Sequence, residues 1–260
     1  MFDAAHVEFS VLSPLLWDPA GTATVELAAP RPGERVLDVC CGAGSSALPA
    51  AEAVGPTGHV DGVDLADALL EQGRALARTR GLANVHFTKA DATTWPTGDY
   101  DIVQCVYGVF FLPDMDAGSA YLVSRLRPGG RFVVTTWERS AIAPVPQLLV
   151  DAIRGVGAGE PPETATRSVG SRINNPADFT TWLADLGLTG ITVTQVPRLV
   201  PIDADIAWTI VQGAAMRAML MGLSPDMVER VRVRFGELVT ERGVDTFNAT
   251  SLIGMGRTAE

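Results

Sequence analysis

The stretch from Val36 to Ala47 constrains the fold of this chain more than any other. It opens as a short apolar run rich in β-branched residues, which is typical of a buried parallel strand. The run then breaks into Gly42-Ala43-Gly44 and continues as an alanine-rich segment through Ala53. We interpret the stretch as a strand, a tight glycine turn and a helix. Glycine lets backbone approach a ligand closely because it has no Cβ, and the helix start offers free N–H groups.

Two ligand classes bind glycine turns of this kind. The spacing Gly42-x-Gly44-x-x-Ala47 satisfies the dinucleotide-binding pattern in its G/A form. Asp38 lies four positions before Gly42, inside the strand. Its carboxylate would repel a pyrophosphate and attract an ammonium or a sulfonium. The turn is therefore expected to bind a nucleoside with a cationic end, and a nicotinamide oxidoreductase stays as an alternative.

Length and composition exclude several other classes. A chain of 260 residues, 47% apolar, suits one α/β domain with insertions. The net charge of −10 argues against a nucleic-acid binder. The most apolar segment, from Ala204 to Leu223, contains charged residues and is expected to be a buried helix instead of a membrane span. Three cysteines without a disulfide framework, and no visible secretory signal, predict a cytoplasmic protein. Three scattered histidines predict no metal site, and the oligomeric state stays open.

Strand and helix patterns alternate along the chain, which predicts a doubly wound α/β sheet. The seven candidate strands begin at Val36 and then cover His59–Leu65, Asn84–Ala90, Tyr100–Tyr107, Arg131–Trp137, Thr189–Ile202 and Thr246–Arg257. We divide the chain into an N-terminal helical cap (1–29), a ligand-binding core (30–138), a lid insertion (139–178) and the remainder of the sheet (179–260), which carries a helical insertion at 204–242.

Several helix boundaries follow from capping residues and punctuation. The cap is expected to form two short helices. In the lid and the last region, Asp178 is expected to cap one helix, and Ser224 with Pro225 to begin another. Between those two, a helix is predicted from Ala204 to Met221 that is apolar on nearly every face.

Asp64 is the best candidate for a ribose ligand. It lies 20 residues after Gly44, close to the spacing of about 20 that is expected of such a residue. Its carboxylate can accept two charge-assisted hydrogen bonds from a diol. Asp61 is three residues earlier and falls on the opposite face of the strand, so we interpret it as structural.

The sequence Val36-Leu37-Asp38-Val39-Cys40-Cys41-Gly42-Ala43-Gly44 resembles motif I of the class I S-adenosylmethionine (SAM)-dependent methyltransferases. The Leu-x-Pro-Gly-Gly turn of Leu126–Gly130 is a further hallmark of that family. The segment that ends at Asp114 resembles small-molecule enzymes similar to the quinone-biosynthesis C-methyltransferases, although Phe110-Phe111 replace a pair of histidines. The resemblance covers residues 30–137 and implies a Rossmann-like seven-stranded sheet with order 3-2-1-4-5-7-6, in which strand 7 is antiparallel.

The resemblance implies SAM as the cofactor. Asp91 and Ala92 match family positions where an acidic side chain reaches the adenine amino group and the next backbone N–H reaches a ring nitrogen. The alternative is that Asp91 merely caps a turn. The full set of expected cofactor-binding residues is Asp38, Cys40, Gly42, Ala43, Gly44, Asp64, Leu65, Asp91, Ala92, Cys105 and Val106.

The implied reaction is methyl transfer to a small molecule, in which the protein mainly aligns the reacting atoms. A base is needed only if the nucleophile arrives protonated. The candidates for that role are His6, Tyr107 and Glu138. An apolar, aromatic or polyketide-like acceptor is expected, because apolar side chains dominate the expected pocket: Phe9, Trp17, Phe110, Phe111, Trp137 and Met216. The acceptor and the methylated atom stay open, as does a SAM-binding fold used as a binding module or for another reaction such as a cyclisation.

Overall fold

The computed structural model describes residues 6–162 and 169–260. Its strands are β1 (Arg35–Val39), β2 (His59–Asp64), β3 (Val85–Lys89), β4 (Tyr100–Val106), β5 (Leu126–Trp137), β6 (Thr189–Val196), β7 (Leu199–Pro201), β8 (Thr246–Asn248) and β9 (Ser251–Arg257). Seven of them form one sheet in the order β3-β2-β1-β4-β5-β9-β6. The strands from β1 to β5 pair in parallel, and β9 is antiparallel to both of its neighbours. The predicted fold class and strand order are therefore confirmed.

The α-helices lie on both faces of this sheet and at its ligand edge. They are α1 (His6–Leu12), α2 (Asp18–Ala28), α3 (Ala47–Val54), α4 (Asp67–Arg80), α5 (Met115–Val123), α6 (Val145–Gly155), α7 (Pro176–Asp185), α8 (Ala204–Gly213) and α9 (Pro225–Glu241). Within the described ranges, none of the helices has the length and apolar composition that crossing a membrane would require.

The central strand β1 is apolar on both faces, as expected for a parallel strand covered on each side. Val36 packs with α2 and α3 on one face. Leu37 and Val39 pack on the other face, in the cluster that includes residues of α5 and α7. Because β1 lies between β2 and β4, the loop after it opens at the middle of the sheet's carboxyl edge. This is where open α/β sheets bind their ligands.

The N-terminal cap is one helical run instead of the two short helices expected. A π-helical turn, Ser13–Trp17, joins α1 directly to α2. The prolines at positions 14 and 19 fall at the start of the π-helical turn and of α2, so the hydrogen-bonding pattern of the run changes close to each missing proline N–H. Gly21 lets α2 approach the Ser45 carbonyl, at a place where a Cβ would not fit.

The predicted sixth strand, Thr189–Ile202, is too long. Pro197 follows the last residue of β6 and cannot donate to the sheet, so pairing ends there. The next strand, β7, pairs with β8 in a separate two-stranded ribbon. The predicted final strand, Thr246–Arg257, is divided into β8 and β9. The chain turns between them, where the Asn248 side chain accepts a hydrogen bond from the Thr250 N–H at 3.0 Å.

Two helix predictions also need correction. The helix expected to reach Met221 ends at Gly213 and is followed by a 3₁₀ segment, Ala215–Leu220. Asn175 caps α7 by accepting from the Asp178 N–H at 3.0 Å, so Asp178 lies in the first turn and is not the cap. The predicted Ser224 cap of α9 is confirmed, since its hydroxyl accepts from the Met227 N–H.

Candidate cofactor and acceptor site

The glycine turn after β1 is held by the carboxylate of Asp64. One oxygen accepts from the Gly42 N–H at 2.8 Å and the other from the Ala66 N–H at 2.8 Å. Gly42 and Gly44 both have positive φ, 53° and 90°. A Cβ on Gly44 would also stand only 2.8 Å from the Phe87 ring. Both glycines are therefore required by backbone conformation, and the second also by space.

Asp38 lies deeper than the sequence suggests. It is fully buried on the face covered by α2 and α3, where the Ser46 hydroxyl donates to Oδ2 at 2.7 Å. Burial raises the pKa of Asp38 to about 7, and the side chains of Ser46 and of Gln104, its register neighbour on β4, only partly oppose this. Among the described residues, the Asp38 Oδ1 makes no hydrogen bond of good geometry, so the Gln104 amide beside it is a weak partner at most. Asp38 is thus a buried carboxyl, one oxygen of which has no well-formed hydrogen bond within the described residues.

Asp91 follows β3 and caps a short 3₁₀ turn. Its Oδ1 accepts from the Thr93 N–H at 2.8 Å and from the Thr93 hydroxyl at 2.7 Å. The turn-cap interpretation therefore holds for this oxygen. Asp91 is exposed and Ala92 is buried. Leu65 directly follows β2 and is 65% exposed, so its side chain is accessible to a ligand.

Cys40 directly follows β1, and Cys105 lies in the neighbouring strand β4. Cys40 is half-buried with a φ of 55°, and Val106 is half-buried at the end of β4. Cys105 is fully buried, and the hydrogen bond to Cys40 together with burial raises the pKa of its thiol. The Cys105 side chain belongs to the core, so a contact with cofactor would have to come from its backbone, and its place among the cofactor-binding residues stays a prediction. All three cysteines are free.

Five aromatic rings form a row along the carboxyl edge of the sheet, which we call the aromatic row: Phe9, Trp17, Tyr107, Trp137 and Phe247. Phe9 stacks on Trp17 with ring centroids 5.2 Å apart, and Trp17 meets Tyr107 edge-on at 5.9 Å. Tyr107 stacks on Trp137 at 4.1 Å, and Trp137 meets Phe247 at 6.4 Å. The Phe9 end of the row covers Gly42, where an added Cβ would stand 3.2 Å from the ring.

The structure joins some of the expected pocket residues and separates others. Phe9, Trp17 and Trp137 lie in the aromatic row, and Met216 packs on the same apolar cluster. Phe110 bridges this cluster and the one under the other face of the sheet. Phe111 contacts Phe110 with centroids 5.0 Å apart but is 36% exposed. These positions stay predictions for the acceptor site.

The family model for "ubiE/COQ5 methyltransferase family" matches residues 10–148, more than half of the chain. The chain belongs to the ubiE/COQ5 methyltransferase family.

Among curated relatives, the chain is 38% identical over 137 residues to the aklanonic acid methyltransferase DauC of Streptomyces sp. strain C5. That match covers 52% of this chain and 62% of DauC. The chain spans about half to two thirds of the length of the curated relatives it matches.

Solved structures share the fold at lower identity. YcgJ of Bacillus subtilis has a TM-score of 0.59 at 19% identity, covering 93% of this chain and 99% of YcgJ. The Haemonchus contortus phosphoethanolamine N-methyltransferase 2, solved with S-adenosyl-L-methionine, has a TM-score of 0.53 at 16% identity. That match covers 92% of this chain and 52% of the Haemonchus enzyme.

In this family member, Tyr107 is held away from acid–base work. Its hydroxyl and the Ser251 hydroxyl are 2.5 Å apart in a buried hydrogen bond. Burial raises the pKa of Tyr107 well above its ordinary value, so the phenol stays protonated near neutral pH. A protonated, hydrogen-bonded phenol argues against Tyr107 as a base, and its catalytic role stays a prediction.

The other two base candidates have local contacts. Glu138 follows β5, and its Oε2 accepts from the Ser140 N–H at 2.7 Å and from the Ser140 hydroxyl at 2.5 Å. This carboxylate therefore shapes the turn after the strand. His6 begins α1, and its carbonyl accepts from the Ser10 hydroxyl at 2.7 Å. Its role as a base stays a prediction.

Hydrogen bonds and one ion pair hold the cap across the site. On one side the Ser10 hydroxyl oxygen lies 2.9 Å from the side-chain amide of Gln72 in α4. On the other, Arg198 Nε donates to the Leu15 carbonyl at 2.9 Å, and Arg217 lies 4.0 Å from Glu8. The cap therefore spans the carboxyl edge of the sheet and covers the glycine turn.

Four side chains at the site escaped prediction from sequence. Gln104 had a usable signal, because a polar residue inside an apolar parallel strand usually has a polar partner. Ser46, which caps nothing and instead binds Asp38, offered a weaker one. Ser251 and Phe247 had none, since they reach the site only through the final strands, more than a hundred residues after Trp137.

Proposed function

We propose that this chain transfers a methyl group from SAM to a small apolar or aromatic acceptor. One observation carries the proposal: the Asp64 carboxylate fastens the glycine turn by accepting from the Gly42 N–H, while Asp38 lies in β1 and Asp91 follows β3, on the strand-to-loop units either side of β2. Three carboxylates on neighbouring strand-to-loop units at this edge of the sheet disfavour a pyrophosphate. They suit a nucleoside that carries a cationic group.

The residues present fit SAM. The unpartnered Asp38 Oδ1 is buried, and such an oxygen is stabilised by a cationic donor. Gly42 and Gly44 keep the turn free of side chains. By the family resemblance, Asp64 would bind the ribose, and Asp91 with the Ala92 N–H would bind adenine.

The chain's own contribution to the reaction is positioning. SAM, when bound, supplies a methyl group already activated on a sulfonium. The cap and the aromatic row would exclude water and align the acceptor, and such alignment can contribute about 7–11 kcal/mol to lowering a barrier. Tyr107 is hydrogen-bonded to Ser251 and Glu138 shapes a turn, which leaves His6 as the remaining candidate base. We infer that the chain relies little on a base, and that the acceptor enters readily ionised or with an intrinsically nucleophilic atom.

The aromatic row supports an aromatic, natural-product-like acceptor and a place in secondary metabolism. The resemblance to a methyltransferase named for aklanonic acid is consistent with this. We also propose a cytoplasmic location, which the three free cysteines support. A nucleic-acid substrate is disfavoured by the net charge of −10.

Calorimetry is the first test. We expect S-adenosylhomocysteine to bind and NAD to give no heat of binding, and the reverse result would contradict the proposal. The second step is to incubate the protein with SAM and a panel of phenols, enolic ketones and aromatic carboxylates, and to measure S-adenosylhomocysteine formation. Cofactor binding without any transfer across the panel would favour a binding module or a non-methylating reaction such as a cyclisation.

A further inference from the structure

Trp17 lies inside the aromatic row with an unused hydrogen-bond donor. The residue is 9% exposed, and its neighbours are the rings of Phe9, Tyr107 and Trp137. Its indole Nε1 is buried and has no hydrogen-bond partner among the residues that the structure describes. Leaving a buried donor unpaired costs about 1–3 kcal/mol, so native proteins rarely keep one.

Other indoles of the chain show what a structural tryptophan does. Trp95 Nε1 donates to the Tyr100 hydroxyl at 2.9 Å. Trp182 Nε1 donates to Asp116 at 2.9 Å. Both are satisfied within the protein. Trp17 differs from these two: its Nε1 has no partner among the described residues, and unlike them it lies in the aromatic row, at the proposed acceptor site.

The backbone that presents Trp17 is also unusual. Trp17 is the last residue of the π-helical turn that begins at Ser13, and the following N–H, that of Asp18, bonds back to the Ser13 carbonyl. π-helical turns are rare in proteins, and those that occur are often found at functional sites. Here the turn joins α1 to α2 and sets the direction in which the indole leaves the cap.

A positive charge lies within range of the same rings. Burial raises the pKa of Tyr107, and the charge of Arg198 acts in the opposite direction. The Arg198 guanidinium also donates to the Leu15 carbonyl, two residues before Trp17. An oxygen with partial or full negative charge would therefore be favoured beside Trp17 over a hydrocarbon edge.

We propose that Trp17 Nε1 donates a hydrogen bond to an oxygen of the acceptor, so that the site selects aromatic ketones or phenolates over matched hydrocarbons. This inference rests on the proposed function, because it assigns the aromatic row to the acceptor. It makes Trp17 a specificity-determining residue and explains why its donor has no partner within the protein.

The test uses the full chain saturated with S-adenosylhomocysteine and two probes of nearly equal shape, 1-tetralone and tetralin. In Trp17→Phe, which keeps an aromatic ring and removes the N–H, affinity for 1-tetralone should fall about threefold to tenfold, as for one neutral hydrogen bond. Affinity for tetralin should change less than twofold. Trp208→Phe is the control, because among the described residues the Trp208 ring pairs with Phe235 and with no ring of the aromatic row, and both affinities should hold.

A second measurement needs no change at position 17. In protein labelled with ¹⁵N-tryptophan, one indole N–H resonance should move downfield with 1-tetralone and not with tetralin. Single substitutions of the other tryptophans assign the resonance to Trp17 by exclusion. An equal loss of affinity for both probes, an unmoved resonance, or no binding of 1-tetralone at millimolar concentration would overturn the inference. Failure of S-adenosylhomocysteine to bind would instead refute the proposed function, so the two failures are distinguishable.

Discussion

The backbone N–H of Gly42 donates to the Oδ2 atom of Asp64 at 2.8 Å. The glycine turn after β1 is therefore fastened to the end of β2 by the residue expected to bind ribose. We expect the Asp64 carboxylate both to hold the glycine turn in shape and to bind the ribose. Its loss should therefore weaken cofactor binding more than the loss of a residue that makes only one contact with the cofactor.

Replacing Asp64 with Ala should weaken S-adenosylhomocysteine binding at least tenfold, since hydrogen bonds to a charged group contribute about 1.5–3 kcal/mol each. Calorimetry measures this directly. Asp61→Asn is the matched control, because Asp61 accepts from the Tyr100 hydroxyl at 2.7 Å and binds no loop at the site. It should lower the Tm and leave the affinity unchanged. An unaltered dissociation constant for Asp64→Ala would show that the ribose lies elsewhere.

The stability of the ligand-free protein should carry a pH-dependent contribution from Asp38. Its pKa is about 7 when folded and near 3.8 when unfolded, so between these values the folded state holds a proton that the unfolded state has lost. This contribution is therefore full at acidic pH and is lost as the pH rises towards 7. Denaturant unfolding of the wild type and of Asp38→Asn at pH 5 and pH 7.5 should show the variant gaining relative stability at the higher pH. A constant difference would contradict a raised pKa.

Cofactor binding should release a proton near neutral pH. S-adenosylhomocysteine has no sulfonium but keeps a cationic α-ammonium group. That group beside Asp38 would favour the ionised carboxylate, so S-adenosylhomocysteine should bind more tightly as the pH rises from 6 to 8. Calorimetry at pH 6.5 in buffers of different ionisation enthalpy reports the proton count. In Asp38→Asn the buffer dependence should vanish. If wild type and variant show the same buffer dependence, another group is the source of the proton.

The Tyr107–Ser251 hydrogen bond should act on stability more than on catalysis. Tyr107→Phe and Ser251→Ala should each destabilise the fold, with a coupling of about 0.5–1.5 kcal/mol in a double-mutant cycle. Turnover of an identified acceptor at saturating SAM should fall less than a hundredfold in Tyr107→Phe, below what loss of a general base often costs. A larger loss at unchanged SAM affinity would restore Tyr107 as a catalytic residue.

The buried ion pair between Arg131 and Glu34 should be a major support of the core. The Arg131 side chain is 6% exposed and that of Glu34 12%, and the Arg131 guanidinium also donates to the Ala29 carbonyl at 3.4 Å. Glu34→Gln leaves the guanidinium buried without its countercharge, which should cost about 3–5 kcal/mol in denaturant unfolding. Glu229→Gln, which breaks the exposed pair with Arg232, should leave the unfolding midpoint where it is. Equal effects of the two variants would contradict the importance of burial.

The sequence by itself determined the sheet and the glycine turn. Apolar strand runs, turn glycines and the carboxylates of Asp38 and Asp64 are local patterns, and the same short-range sterics that shape them operate in the fold. Strand order and the antiparallel last strand followed from the family resemblance and are confirmed. Predictions failed where one residue outweighed a long apolar pattern, as Pro197 did by ending β6.

Only the tertiary structure decided what surrounds those residues. Burial under α2 and α3, which raises the pKa of Asp38, depends on helices contributed from both sides of motif I in sequence. The aromatic row joins Phe9 to Phe247, and Tyr107 finds Ser251 across 144 positions of chain. Such contacts depend on how whole elements pack, and a side chain's local sequence does not record which distant group will cover it. For that reason candidate cofactor residues could be proposed from the sequence, and the unpartnered donor of Trp17 could be found only in the folded structure.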